Sequence, residues 1–267
     1  MYCSRAQGVV LLLPLLFFYI STPALSQSAL PEEILKWEAD MLAFDSLNQL
    51  EESDAGTLLV TGSSSVRLWD SIHTDLAPYR IMQRGYGGAK LTDFNYYADR
   101  IIKAHQFKAI VVFVANDISG VEIDRSPREV RQLFRDLVRQ IRIRNPETPV
   151  CWVETTPTPS RWHVSPDIRE ANTLIARYCA HNSDLHFIPT FNHFTTPEGL
   201  PDSAFFREYM LHLNRQGYRQ WSAIIKSSLL EAGIDPRSAS RFKLGPLFLS
   251  LRHETAPYTT YLPRSEH

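Results

Sequence analysis

Cysteine is scarce in this chain, three residues in 267, which excludes the disulfide frameworks that hold small extracellular domains together. An excess of charge is also missing. The 28 basic and 29 acidic side chains leave a formal net charge of −1, so the chain has neither a nucleic-acid footprint nor a polybasic membrane surface. Zinc spacings do not occur: His163, His181, His186 and His193 form no H-x-x-x-H or H-E-x-x-H pattern, and no cysteine or acid completes one. No G-x-S-x-G nucleophile elbow occurs, and there are no internal repeats or low-complexity tracts. The one prominent apolar run, Val9 to Ile20, is too short to span a bilayer comfortably and contains Pro14.

That run has a different use. It follows "MYCSRAQG", with one arginine and no acid, and precedes "STPALSQS", with a small-x-small site at Ala24-Leu25-Ser26. The three parts predict a secretory signal peptide over residues 1–26. The mature protein is then expected to be secreted or periplasmic, with no stable membrane anchor after cleavage. Cys3 leaves with the peptide. Cys151 and Cys179 remain, either as one disulfide or as two buried thiols.

With 44% hydrophobic and 21% charged residues, the remainder reads as one globular domain over 27–235. Apolar residues at helical spacing predict a helix between Pro31 and Leu50. Five strands are expected in "TLLVT" (57–61), "YRIMQ" (79–83), "KAIVVFV" (108–114), "PVCWVE" (149–154) and "LHFIP" (185–189). Helical segments alternate with them, one opening at Ser126-Pro127 and the last in "RQGYRQWSAIIKSSLLEAG", whose Gly217-Tyr218 pair is expected to form a turn after His212. The alternation predicts an α/β fold, a doubly wound and mostly parallel five-stranded sheet. Residues 236–267 lack a period and read as a loosely attached tail.

In such a sheet, sites gather beyond the carboxyl ends of the strands. "GSSS" follows the first strand, "GYGG" the second, "AND" the third and "TPTPSRW" the fourth, and "HLN" comes after the fifth. A serine at a strand-to-helix junction can be a nucleophile beside free N–H groups, or a simple helix cap. Gly88 can bring a backbone N–H to an oxyanion, or make a plain turn. Asn116 can donate to the same oxyanion, or form an Asn-Asp turn with Asp117. His212 can be a base, or a packed histidine at a helix start. His193 and Trp162 either line the pocket or, for Trp162, brace a loop.

Taken in order, these four positions resemble the consensus blocks of the SGNH (GDSL) hydrolase superfamily. More closely, "GSSSVRLW" (62–69) resembles a bacterial subgroup whose first block reads G-S-S-S-x-R-L-W. The likeness runs from about Trp37 to Trp221 and includes "PSRW", "REANTLI" and "HLNRQGY". It implies the three-layer, flavodoxin-like fold and a serine esterase needing no cofactor or metal. Ser64 would be the nucleophile and His212 the general base. The N–H groups of Ser64 and Gly88 and the side chain of Asn116 would form the oxyanion hole. The expected substrate is a small-molecule or glycan ester.

The chain departs from that pattern at the site. Tyr209 stands where the family has the aspartate that orients the histidine, Val114 where glycine is usual, and Gln83 where asparagine is common. Glu208, Asp202 or a main-chain carbonyl are the remaining candidates to orient His212. The alternative function is a degenerate member that binds a glycan or acylated ligand without turnover.

Overall fold

The structure, a computed structural model, describes residues 32–102 and 106–238. The expected signal peptide lies outside the described residues, as does the expected tail beyond Ser238. All five expected strands form: β1 (Thr57–Gly62), β2 (Arg80–Gly85), β3 (Ala109–Phe113), β4 (Val150–Val153) and β5 (Leu185–Ile188). Every pairing is parallel, and the order is β2-β1-β3-β4-β5. The helices are α1 (Glu32–Leu35), α2 (Glu38–Leu50), α3 (Ser64–Arg67), α4 (Ile72–Asp75), α5 (Leu91–Ile102), α6 (Pro127–Arg144), α7 (Ser165–Ala180) and α8 (Arg215–Glu231).

The three central strands, β1, β3 and β4, are buried along their whole length and mostly apolar because both faces of the sheet are covered there, whereas edge strand β2 carries Arg80, Gln83 and Arg84. Successive side chains point to opposite faces. Leu59, Ile110, Val112, Val150 and Trp152 therefore pack with α2, α5, α6 and α7. Leu58, Val60, Val111, Phe113 and Val153 pack with α3, α4 and α8. The result is the three-layer, doubly wound fold. Its order reverses at β1, flanked by β2 and β3, and such switch points are where ligands bind in open α/β sheets. Cys151 and Cys179 are free and buried.

Two local expectations change. The helix expected from Pro31 to Leu50 breaks between α1 and α2, and Trp37 turns inward to donate from Nε1 to Asp93 (3.2 Å) and pack on Tyr86. The Gly-Tyr pair is not a turn: Gly217 and Tyr218 lie in the first turns of α8. A Cβ at Gly217 would stand 2.3 Å from the Phe205 carbonyl oxygen, so the glycine admits a close backbone approach.

Candidate active site

β1 ends at Gly62, whose φ is +142° and whose Cβ, if present, would lie 1.9 Å from the Phe113 carbonyl oxygen. Only glycine fits there. The close approach lets Ser63 N–H donate to that oxygen (2.8 Å) as the chain swings into α3. Ser63 occupies the N-cap, but its hydroxyl makes no cap hydrogen bond. The hydroxyl of Ser64 instead meets Nε2 of His212 at 2.7 Å. α3 is a single turn, so it contributes free amides more than a macrodipole. Gln83 braces its far end by donating to the Val66 carbonyl (2.6 Å), a structural task for that departure.

His212 sits in a loop closed by the Phe206–Leu213 bridge. Inside it Arg207 N–H donates to the His212 carbonyl (2.8 Å) and Met210 N–H to the Arg207 carbonyl (2.8 Å). Met210 is left-handed, φ 56°, a conformation that disfavours a side chain and is held here by these bonds. The Asn214 side chain caps α8 by accepting from Gly217 N–H (2.9 Å) and also donates to the Ala204 and Phe206 carbonyls. The loop's exit is thereby fixed. Arg215 then forks onto buried Asp75 (2.7 and 2.6 Å), which also accepts from Trp69 and Ser71.

The tight turn decides what faces the imidazole. The Tyr209 hydroxyl lies 3.1 Å from Nδ1 of His212, with the two rings edge-on. When Nε2 accepts the Ser64 proton, Nδ1 carries the ring's hydrogen and the tyrosine oxygen accepts it. Glu208 is exposed and bonds to nothing among the described residues. The left-handed residue aims position 209, not 208, at the ring. Asp202 is engaged elsewhere, accepting from Ala204 N–H at 3.0 Å.

The oxyanion candidates are tied together from the other side. Asn116 donates from Nδ2 to the Ala89 carbonyl (2.9 Å), and its Oδ1 accepts from Arg161 (2.8 Å). Arg161 also donates to the Ala115 carbonyl (2.7 Å). These bonds fix which end of the amide is nitrogen and leave one Nδ2 hydrogen uncommitted. Ser64 N–H and Gly88 N–H have no acceptor among the described residues. Gly88 has φ +74° and lies against Trp37; it is outside the cleft wall, joined to it through the Ala89–Asn116 bond. Asp117 takes Leu91 N–H on both oxygens (3.1 and 3.0 Å), anchoring the start of α5. Burial pushes its carboxyl up to about 6.

A shallow cleft opens over Ser64 and His212, walled by Asn116, Thr155, Arg161 and Leu213 among others, and no carboxylate lines it among the described residues. His212 is held below the usual histidine range, first by burial and then by the charges of Arg207, Arg161 and Arg67. Sequence reasoning did not single out these arginines, although Arg67 and Arg161 sit inside "GSSSVRLW" and "PSRW". Trp162 packs on Phe191 and His193 lines a separate pocket with Glu154 and Arg169, so neither walls the Ser64 cleft.

Residues 55–220 match the GDSL-like Lipase/Acylhydrolase family. The chain belongs to that family. Its members are hydrolases of ester substrates. Among solved structures, the fold is similar to a proposed platelet activating factor from Streptococcus pneumonia, with TM-score 0.63, 18% identity and coverage of 74% of this chain and 95% of that one. A proposed acylhydrolase from Bacteroides fragilis gives TM-score 0.63, 17% identity and coverage of 74% and 98%. A GDSL-like lipase from Bacteroides thetaiotaomicron gives 0.60, 15%, 73% and 98%. At these identities the likeness is one of fold. No curated protein sequence matches the chain.

Proposed function

We propose that this family member is an extracytoplasmic serine esterase that removes a small acyl group from a small-molecule or glycan ester, within the subgroup named for its G-S-S-S-x-R-L-W block. The observation that carries it is the 2.7 Å contact between Ser64 Oγ and His212 Nε2 in the cleft that Asn116 also lines. Location outside the cytoplasm rests on the pattern of residues 1–26.

In the proposed reaction Ser64 Oγ attacks the ester carbonyl carbon while its proton passes to His212 Nε2. The Ser64 and Gly88 N–H groups and the uncommitted Asn116 hydrogen stabilise the oxyanion. The C–O bond to the alcohol then breaks, and the Nε2 proton goes to the departing oxygen. Water attacks the acyl-enzyme and gives a proton to Nε2. Collapse releases the carboxylic acid as that proton returns to Ser64. No cofactor is required.

A second reading, ligand binding without turnover, is favoured by one observation: Nδ1 meets a neutral phenol where the family has a carboxylate. Hydrolysis of 4-nitrophenyl acetate separates the two. The esterase reading expects activity that Ser64→Ala abolishes and His212→Ala cripples. A wild-type rate equal to that of Ser64→Ala, together with binding of an acylated glycan, would leave only the second reading.

A further inference from the structure

Three arginines stand on the segments that hold Ser64, Asn116 and His212, with Arg161 in the cleft wall itself and Arg67 and Arg207 just outside it. Arg67 ends α3, one turn after Ser64, and lies over the glycine turn, where a Cβ on Gly87 would be 3.3 Å from its Nη2. Arg161 walls the cleft and grips Asn116. Arg207 donates from Nε to the carbonyl of Leu213, the residue after His212 (3.1 Å). The Arg67 guanidinium and the terminal nitrogens of Arg207 have no hydrogen-bond partner among the described residues.

None of the three is ion-paired among the described residues, whereas Arg84, Arg100 and Arg215 each hold a carboxylate. Asp124, whose charge reaches Arg161, is itself engaged by the N–H groups of Ser119, Gly120 and Val121. Among the described residues the cleft wall adds no acid and Tyr209 brings none to Nδ1; Asp70, whose charge reaches nearby Tyr218, is outside that wall. Such a positive field opposes the imidazolium that acyl transfer must form. It is also the field that an anion would cancel, and the guanidinium fork suits a carboxylate or phosphate.

We propose that the substrate carries its own anion, a carboxylate or phosphate group near the scissile ester, seated at the cleft mouth by Arg161 with Arg67 and Arg207 flanking it. This rests on the hydrolase reading above. The bound anion both recognises the arginines and supplies part of the negative charge that the missing aspartate would have given the imidazolium.

The test compares three 4-nitrophenyl esters: the neutral pentanoate, the hydrogen glutarate and the 3-phosphonopropionate. The expected result is a kcat/KM for one anionic ester about tenfold or more above the neutral one at low salt, falling at high salt. Arg67→Ala and Arg207→Ala should each lower the anionic-to-neutral ratio, which loss of folded protein leaves unchanged. Preference for the glutarate identifies a carboxylate and preference for the phosphono ester a phosphate. Neutral-ester hydrolysis with no anionic preference, or a preference indifferent to both substitutions, overturns the proposal. Calorimetry of the same esters on Ser64→Ala separates it from the hydrolase reading. Arginine-dependent binding of an anionic ester with no wild-type turnover keeps the anion site and removes the esterase; no such binding removes the anion site.

Discussion

The Tyr209 hydroxyl stands 3.1 Å from Nδ1 of His212, at the position where the family places a carboxylate. A phenol can fix the tautomer and the ring's direction, as an aspartate does, but it brings no charge to an imidazolium. In the proposed reaction Tyr209 is thus a positioning residue. Tyr209→Phe should lower kcat about tenfold or less, the worth of one neutral hydrogen bond. Tyr209→Asp should raise kcat tenfold or more and move the acidic limb of the pH profile upward, since a carboxylate favours the charged ring. Steady-state kinetics of the two variants check both; equal, unchanged rates would show that Nδ1 needs no partner here.

The pH dependence follows from the same ring. In the proposed reaction His212 serves as a base only when neutral, and burial with the charges of three arginines holds its pKa below the usual 6.5. The plateau of kcat/KM should therefore extend below pH 6.5 before activity falls. Removing one positive charge, as in Arg207→Ala, should move that limb up toward 6.5. A pH–rate profile on a neutral ester measures both.

Asn116 is held at both ends, by the Ala89 carbonyl and by Arg161. Asn116→Ala should cost about 10²–10³ in kcat with little change in KM, the usual effect of losing one oxyanion donor. Arg161→Ala frees the amide to rotate and should give a smaller loss of the same kind. A change confined to KM would remove both residues from transition-state stabilisation.

Burial would push the Asp75 carboxyl up, but hydrogen bonds from Arg215, Trp69 and Ser71 outweigh it and hold the group at about 2. A depressed carboxylate contributes stability above its unfolded value of 3.8, and that contribution fades as pH falls toward 2. Asp75→Asn should destabilise the fold by about 2 kcal/mol at neutral pH, because Trp69 and Arg215 lose a charged acceptor. The gap between variant and wild type in denaturant melts should close in acid.

The sheet was legible because strands covered on both faces, such as Leu58 to Val60 and Ile110 to Val112, read as short unbroken apolar runs. Ser64, Gly88, Asn116 and His212 were legible as residues placed after successive strands. What sequence could not show depends on backbone paths. Tyr209 reaches Nδ1 across a tight turn in which Met210 is left-handed, a conformation that no residue preference at 210 announces. Gly217 lies inside a helix because the Phe205 carbonyl passes close by, and a sequence pattern sees only a turn-forming glycine. Arg67, Arg161 and Arg207 are far apart in the chain, and only the folded chain brings their charges to His212.

The central claim is that Ser64 is the nucleophile and His212 its base. The most direct measurement is intact and peptide mass spectrometry after treatment with a fluorophosphonate, which captures an activated serine covalently. One adduct, mapped to Ser64, absent from Ser64→Ala and formed far more slowly in His212→Ala, is the predicted result. Labelling at the same rate in His212→Ala, or no adduct at Ser64 in folded wild-type protein, would contradict it.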